Sequence, residues 1–241
     1  MRYLFAFILL ILSYSAVYGQ KNISISTPVI WSTFQVPNNW SPPTAVHRQN
    51  EFNGTAAGHG VNITYSFKAP ILIKSEHLQF VIGGGYFKQR FDIIRPFDYV
   101  SILLPIFYTH HYSYYSLQGI LGVTYNHSIG KNWFLSGNLS YNWLYTFRQE
   151  YTPSSNHGYG KLTQVNKDFK DFGNMLNFSA GINRKFGTRL SLGVHILAPL
   201  HTRWRNDRIF KDNPNTTYSP KSSLGSQLSV TYHLKQKPQK E

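Results

Sequence analysis

The histidine and serine of the segment "HHYS" are the pair whose types and spacing come closest to a catalytic site. His111 and Ser113 are two residues apart, so in a strand both side chains lie on the same face. A histidine in this position accepts the proton of the serine hydroxyl group, and the serine oxygen then attacks an ester. The pair also needs a group that orients the imidazole ring. The nearest acidic residue downstream is Glu150, and Asn126 is in the wrong phase. The sequence therefore predicts no catalytic site and keeps a hydrolase as an alternative.

No other group of residues indicates a metal or cofactor site. The chain contains no cysteine, which excludes thiolate ligands and thiolate catalysis. His195 and His233 fall on the polar side of alternating segments without further ligands beside them, so we expect hydrogen-bonding partners in the interior. The glycines of "VIGGGYF" lack the strand–loop–helix setting of a phosphate-binding loop. We predict neither a metal nor a cofactor.

The candidate residues belong to segments in which apolar and polar side chains alternate. The segment "WFLSGNLSYNWLYTF", residues 133–147, keeps this pattern throughout, and a period of two predicts a strand. The first strand lies around "NISIS" or continues through "VIWSTF". With six further segments the sequence predicts eight strands; the six are "GVNITYSF", "HLQFVIGGGYF", "YSLQGILGVTYN", "LNFSAGIN", "LSLGVHILA" and "QLSVTYHL".

The polar face of these strands is predicted to point into a barrel. Residues 133–147 place serine and asparagine opposite the apolar side chains and contain no Lys, Arg, Asp or Glu. Charged residues make up 14% of the chain, against about 25% in soluble domains. A soluble barrel needs ionised side chains on its solvent face, and these strands lack them. The apolar face is therefore expected to contact lipid, as in a transmembrane barrel.

The spacing of aromatic residues agrees with a bilayer. Trp133 and Trp143 are ten residues apart on one face, as are Tyr115 and Tyr125. Ten tilted strand residues rise about 25 Å, the height of the apolar band in outer-membrane barrels. Together with Tyr145, these residues are predicted to lie at the membrane interfaces. The alternative explanation is that aromatic residues favour strands in general.

The two ends of the chain are predicted to lie outside the barrel. Residues 1–19 combine one arginine, a short apolar run and small residues before the expected cleavage site, as in a secretory signal peptide. The apolar run is too short for a spanning helix, which takes about 20 residues. The barrel is expected over residues 20–234, followed by a basic disordered tail at 235–241.

The predicted connections alternate in length. Short connections follow the second, fourth and sixth strands, whereas residues 37–56, 91–112, 148–172 and 200–220 are predicted as long loops. Short turns at one rim and long loops at the other are typical of transmembrane barrels. An eight-stranded interior is just wide enough for side chains to fill it. Function is therefore expected in the long loops.

The signal, the alternating strands and the terminal strand resemble small outer-membrane barrels of the OmpX and OmpA type. The phrases "GGGYFKQRFD", "RQEYTPSSNHGYG" and "TRWRND" are similar to an uncharacterised family of predicted outer-membrane β-barrel proteins. Membership of such a family implies the fold and a place in the bacterial outer membrane, and it implies no activity.

The last strand, "SLGSQLSVTYHL", resembles the signal that the barrel-assembly machinery reads. Gly225, Leu228, Val230 and Tyr232 carry this resemblance. The chain departs from the pattern because "KQKPQKE" follows the strand. The resemblance implies the assembly machinery as a partner during biogenesis.

A basic segment, "HTRWRNDRIFKD", lies in the last predicted long loop of a chain with a net charge of +14. Arginine binds phosphate with two parallel hydrogen bonds, so this segment is a candidate contact for lipopolysaccharide. The alternative is a solvated loop whose cations pair with nearby aspartates, as exposed pairs commonly do. The candidate contact residues are Arg203, Trp204, Arg205, Arg208 and Lys211.

These observations predict an integral outer-membrane barrel with a structural or interaction role rather than an enzyme. Outer-membrane lipids and lipopolysaccharide are the expected surroundings, and a protein at this location is not expected to bind nucleic acid. No protein partner is identified. Two alternatives remain: a lipid-modifying hydrolase that uses His111 and Ser113, and a narrow solute channel.

Overall fold

The computed structural model describes seven stretches of the chain: residues 21–37, 51–68, 77–97, 106–155, 164–166, 171–204 and 220–234. The predicted signal peptide and the basic tail lie outside these residues. Within the described stretches the chain forms strands and turns. None of these residues forms a helix long and apolar enough to cross a membrane.

Nine strands follow one another along the described chain, and eight of them form a closed barrel. Consecutive barrel strands pair antiparallel, and the first strand closes the barrel on the last. The ninth, β6, is a three-residue addition that pairs with the outer end of β5. The eight-stranded antiparallel β-barrel is therefore confirmed. The bounds are β1 Lys21–Pro37, β2 Glu51–Phe67, β3 Leu78–Phe97, β4 Ile106–Ser128, β5 Trp133–Ser155, β6 Gln164–Asn166, β7 Asp171–Phe186, β8 Leu190–Trp204 and β9 Pro220–His233.

Several strands continue well beyond the segments that alternation predicts. β3 and β4 remain paired up to Phe97 and Ile106, and β5 continues to Ser155. Much of the chain predicted as loops at 91–112 and 148–172 is therefore strand, because backbone pairing continues where apolar–polar alternation stops. β1 includes both candidate segments for the first strand. Since about 9–11 residues cross a bilayer, strands of 20 and 23 residues leave a wall above the membrane.

The apolar side of the strands forms the outer surface of the barrel. Leu121 on β4 is 43% exposed and Val194 on β8 is 58% exposed, whereas Ser116, Gln118 and Asn142 are buried. The polar face is therefore the inner face, as predicted. An apolar outer surface around a polar interior is the arrangement of a transmembrane barrel.

The interior has a polar part and an apolar part. On the side of the short turns, Gln118 donates a hydrogen bond to Asn62, and Asn142 donates one to Gln118 at 3.3 Å. A cavity of about 130 Å³ lies among such side chains. Nearer the other rim, eight side chains form a buried cluster across the bore, which is named the apolar plug; they are Ile30, Ala56, Phe87, Phe91, Tyr114, Leu144, Met175 and Leu197.

Candidate functional site on the outer wall

Four rows of side chains run across the outward face of β3, β4 and β5, and these rows are named the outer wall. Each row lies two residues further along the strands, or about 5 Å higher for strands tilted by about 40°. Row 1 is apolar and aromatic, whereas the rows above it carry charges. The outer surface therefore changes from apolar to charged between row 1 and row 2. From the membrane upward, the rows are Tyr86–Leu117–Tyr145, Lys88–Tyr115–Arg148, Arg90–Ser113–Glu150 and Asp92–His111–Thr152.

A bulge on β5 turns the charged side chains of that strand toward the outer wall. Phe147 has no partner on β4, because the register shifts between the pairs on either side of it. One extra residue exchanges the two faces of a strand. Arg148 and Glu150 therefore face outward, while Gln149 turns inward and donates a hydrogen bond to the Tyr114 hydroxyl group at 3.3 Å. Strict alternation along β5 places Arg148 inside the barrel instead.

Row 2 holds two cations against one tyrosine ring. Lys88 Nζ lies 4.9 Å and Arg148 Cζ lies 5.1 Å from the centroid of Tyr115. The Tyr115 hydroxyl group donates a hydrogen bond to Glu150 Oε2 at 2.6 Å, and Arg148 Nη2 donates to Glu150 Oε1. Cation–π contacts and charge-assisted hydrogen bonds thus position all four side chains. Lys88, Tyr115, Arg148 and Glu150 are named the Tyr115 cluster.

Glu150 lies above the apolar band, and its neighbours favour the ionised carboxylate. The hydrogen bond from Tyr115 lowers the pKa of Glu150, and Arg148 acts in the same direction through its hydrogen bond and its charge, while partial burial opposes both. Hydrogen bonds to a charged form stabilise that form. The carboxylate therefore holds Arg148 and Tyr115 in place at neutral pH.

Row 4 contains a carboxylate beside His111, that of Asp92, which the spacing along the sequence does not predict. Asp92 Oδ1 lies 2.5 Å from His111 Nδ1. Arg90 Nε donates to the same oxygen at 2.9 Å, and Arg90 Nη2 lies 2.9 Å from His111 Nδ1. Ser113 lies on the same outward face of β4, directly opposite Arg90 on β3 and Glu150 on β5.

The carboxylate that contacts His111 lies upstream of it on the preceding strand, and not downstream, where the sequence places Glu150. Asp92 and His111 are 19 residues apart and become cross-strand partners through the β3–β4 register. The two residues are identified as a pair when "RFD" and "HHYS" are aligned as neighbouring strands of a β-hairpin.

The five predicted interface aromatics lie on the outward side of β4 and β5. Trp133, Trp143 and Tyr125 are between 42% and 50% exposed. Tyr145 packs on Phe172 with ring centroids 5.1 Å apart, and Tyr115 belongs to row 2. Their role at the membrane interfaces stays a prediction. At the short-turn end, Arg184 Cζ lies 5.4 Å from the Trp133 ring.

The predicted basic segment falls largely outside the described residues. Arg203 is exposed and pairs with Asn174 on β7, and Trp204 ends β8. The other members are Arg205, Arg208 and Lys211, about whose placement the described stretches say nothing. The lipopolysaccharide contact of this segment stays a prediction.

The residues of the predicted assembly signal lie on β9. Gly225 is buried, and an added Cβ there meets the backbone of Val29. Leu228, Val230 and Tyr232 are 61%, 45% and 40% exposed on the outward face. Their recognition by the assembly machinery stays a prediction.

The two interior histidines make the hydrogen bonds expected of them. His195 Nε2 lies 3.3 Å from Asn183 Oδ1 and 3.3 Å from Ser229 Oγ. His233 Nδ1 lies 2.8 Å from Asn22 Oδ1. Among the described residues, no group of three or more His, Asp or Glu is placed to hold a metal ion.

Comparisons with known proteins give likenesses at the level of the barrel. No protein-family model and no curated protein matches the sequence. Among solved structures, Neisserial surface protein A is similar at 10% identity and a TM-score of 0.39, covering 89% of this chain and 97% of that one. OprG from Pseudomonas aeruginosa is similar at 10% identity and a TM-score of 0.43, covering 91% and 98%. Ail of Yersinia pestis is similar at 13% identity and a TM-score of 0.34, covering 90% and 100%. At these values the likenesses carry no argument about activity. The fold is assigned from the closed barrel of this chain itself.

Proposed function

We propose that this chain is an integral barrel of the bacterial outer membrane, exported through a cleaved signal peptide, whose outer wall binds anionic lipids of the outer leaflet. The observation that carries the proposal is the Tyr115 cluster. Lys88 and Arg148 both contact the Tyr115 ring, one row above the aromatic row that ends the apolar band. Cations at this height face the phosphate groups of lipopolysaccharide.

The geometry of the Tyr115 cluster suits a phosphate group. Arg148 uses one terminal nitrogen for Glu150, and a guanidinium group has five N–H donors, so others remain for a lipid oxygen. Lys88 adds a compact ammonium group, which binds phosphate as a point charge. Arg90, half exposed in row 3, supplies a third cation about 5 Å higher. Glu150 and Asp92 hold the two arginines and leave Lys88 to the lipid.

Two further contacts belong to the proposal. The basic segment that includes Arg203 adds lipopolysaccharide contacts at the same rim. The outward side chains of Leu228, Val230 and Tyr232 on β9 serve as the signal for the barrel-assembly machinery. Their exposure on one face of the last strand supports this role, because a binding partner reaches all three from outside.

Lipid content of the purified protein tests the proposal. The full chain and its Lys88→Gln/Arg148→Gln double variant are expressed in a Gram-negative host, purified in mild detergent and assayed for lipopolysaccharide sugar and phosphate per barrel. Lipopolysaccharide occupies the outer leaflet alone, so we expect the double variant to lose at least half of the bound lipopolysaccharide.

The matched control is Arg184→Gln. This residue also stacks on an aromatic ring, but at the short-turn end of the barrel, so its loss is expected to leave the lipopolysaccharide content unchanged. Heat-modifiable migration in gels verifies that all three proteins are folded. Equal lipopolysaccharide content in wild type and double variant contradicts the proposal, as does an equal loss in the control.

A further inference from the structure

We infer that the short-turn rim of the barrel binds anionic phospholipids of the inner leaflet through Arg184 and Arg189. Both arginines belong to the β7–β8 hairpin, Arg184 near the end of β7 and Arg189 directly before β8. This binding goes beyond the lipopolysaccharide contact proposed above and rests on the proposed function only for the place of the barrel in the outer membrane. The hairpin lies at the opposite end of the barrel from the outer wall, so it meets the other leaflet.

Charges are distributed unequally between the two rims of the described barrel. The described aspartates and glutamates all lie toward the rim of the outer wall, whereas the short-turn rim carries cations. Residues 69–76, outside the described stretches, contain one lysine and one glutamate, which together add no net charge. The short-turn rim is therefore complementary to an anionic surface. Its described cations are Lys21, Lys68, Lys131, Arg184, Lys185 and Arg189.

Arg184 is held against two aromatic rings on the outside of the barrel. Its Cζ lies 5.4 Å from the ring centroid of Trp133, its cross-strand partner on β5, and 5.2 Å from that of Phe186. Cation–π contacts position a guanidinium group and occupy no hydrogen-bond acceptor. Within the described stretches Arg184 has no hydrogen bond or ion pair, so its five N–H donors remain for phosphate oxygens, which arginine binds with two parallel hydrogen bonds.

Arg189 is positioned by the last strand. Its Nη1 donates a hydrogen bond to the Tyr232 hydroxyl group at 3.3 Å, and its backbone carbonyl accepts one from the His233 N–H at 2.7 Å. Because Tyr232 is an outward side chain of β9, this hydrogen bond directs the guanidinium group toward the outer surface. One donor is used and four remain. The hairpin therefore presents two arginines to a lipid headgroup.

Trp133 gives the height of this site. It is the tryptophan predicted at the short-turn interface, and Arg184 lies directly across from it. Interface aromatics lie at the level of the lipid headgroups, so Arg184 is expected at the level of their phosphate groups. The inner leaflet of a bacterial outer membrane consists of phospholipids, which are therefore the lipids that this end of the barrel contacts.

The partners of the arginines favour an anionic headgroup over a zwitterionic one. On the outer wall, Arg90 and Arg148 each contact a carboxylate, whereas aromatic rings and a hydroxyl group hold the two arginines of the hairpin. These partners fix the guanidinium groups without neutralising them. The headgroups of phosphatidylglycerol and cardiolipin supply the missing negative charge, as anionic lipids do at clusters of basic side chains. The ammonium group of phosphatidylethanolamine is repelled by the same cations.

Lipid content of the purified full chain tests the inference with two variants of equal charge change. Arg184→Gln/Arg189→Gln and Lys88→Gln/Arg148→Gln each remove two positive charges, one pair from the hairpin and one from the outer wall. Both are purified from a Gram-negative host in mild detergent, and phosphatidylglycerol and cardiolipin are counted per barrel. We expect the hairpin variant to lose at least half of these two lipids and to keep its lipopolysaccharide. The wall variant is expected to keep the two phospholipids.

Three outcomes overturn the inference, once heat-modifiable migration has verified that the proteins are folded. The first is an equal content of the two phospholipids in wild type and hairpin variant. The second is an equal loss in the wall variant, which shows an effect of net charge alone. The third is cosedimentation with isolated peptidoglycan that the hairpin variant loses while its phospholipid content stays unchanged. Lipopolysaccharide, measured in the same extracts, decides the proposed function separately.

Discussion

Phe91 and Tyr114 pack inside the barrel with their ring centroids 5.1 Å apart and their planes inclined by 59°. Both side chains are at most 2% exposed, and both belong to the apolar plug. The plug lies between the polar part of the interior and the outer rim. We therefore expect it to interrupt a continuous polar path through the described part of the barrel.

The first prediction concerns conductance. If the plug closes the bore, the wild-type protein shows no discrete conductance steps in a planar bilayer, and this is the expected result. Phe87→Ala/Phe91→Ala removes two of its largest side chains and is expected to produce steps. Phe172→Ala, on the exposed outer face, is the control and is expected to show no conductance steps. Steps of equal size in wild type and plug variant contradict the role assigned to the plug.

The second prediction concerns the interior polar contacts. Asn62→Leu leaves the Gln118 amide without the acceptor it has in the native barrel. We expect the free energy of unfolding to fall by about 1–3 kcal/mol, the cost of an unpaired buried group. Replacing Asn62 and Gln118 together with leucine removes both partners, so its cost is expected to be smaller than the sum of the two single costs.

Urea unfolding in lipid vesicles, followed by tryptophan fluorescence, measures these energies. Thr55→Val, at an exposed position of β2, serves as the control and is expected to change the free energy of unfolding by less than either single substitution. Strict additivity of the two leucine substitutions refutes the coupling between Asn62 and Gln118.

The third prediction concerns the face that meets lipid. Leu121 is exposed between the two tyrosines that mark the predicted interfaces on β4. Leu121→Arg is expected to cost about 2–4 kcal/mol of unfolding free energy in vesicles, whereas His127→Arg at the short-turn rim costs about 0–1 kcal/mol. The same urea titration measures both. Equal costs mean that Leu121 does not face the bilayer.

The fourth prediction concerns pH and Glu150. Folding lowers the pKa of this carboxyl group, first through the Tyr115 hydrogen bond and then through Arg148. A carboxyl group with a lowered pKa contributes stability that is present above its unfolded value of about 4.3 and is lost as the pH falls through its folded value. The stability difference between wild type and Glu150→Gln is therefore expected to be larger at pH 7 than at pH 3.

Unfolding midpoints in urea at the two pH values provide the measurement. Tyr115→Phe removes the largest cause of the shift, so in this background the effect of Glu150→Gln at pH 7 is expected to shrink. A stability difference that is the same at pH 3 and pH 7 is the outcome that excludes this role of Glu150.

The sequence by itself determined the barrel and the orientation of its faces. Trp133, Leu135 and Leu139 alternate with serine and asparagine, and a period of two is a local property of the chain. The near absence of charge in these segments excludes a solvent-facing outer surface. Both arguments need only neighbouring residues, which is why they hold for Leu121 and Gln118 in the structure as well.

The outer wall was decided by the tertiary structure. The contact between Asp92 and His111 depends on the register of two strands, and the outward direction of Arg148 depends on one unpaired residue, Phe147. A shift of one residue exchanges the faces of a strand. Register and bulges follow from pairing along a whole hairpin, so residue types and spacing along one segment cannot reveal them. For that reason the sequence predicts loops for the segments that carry the charged rows, although these segments form strands.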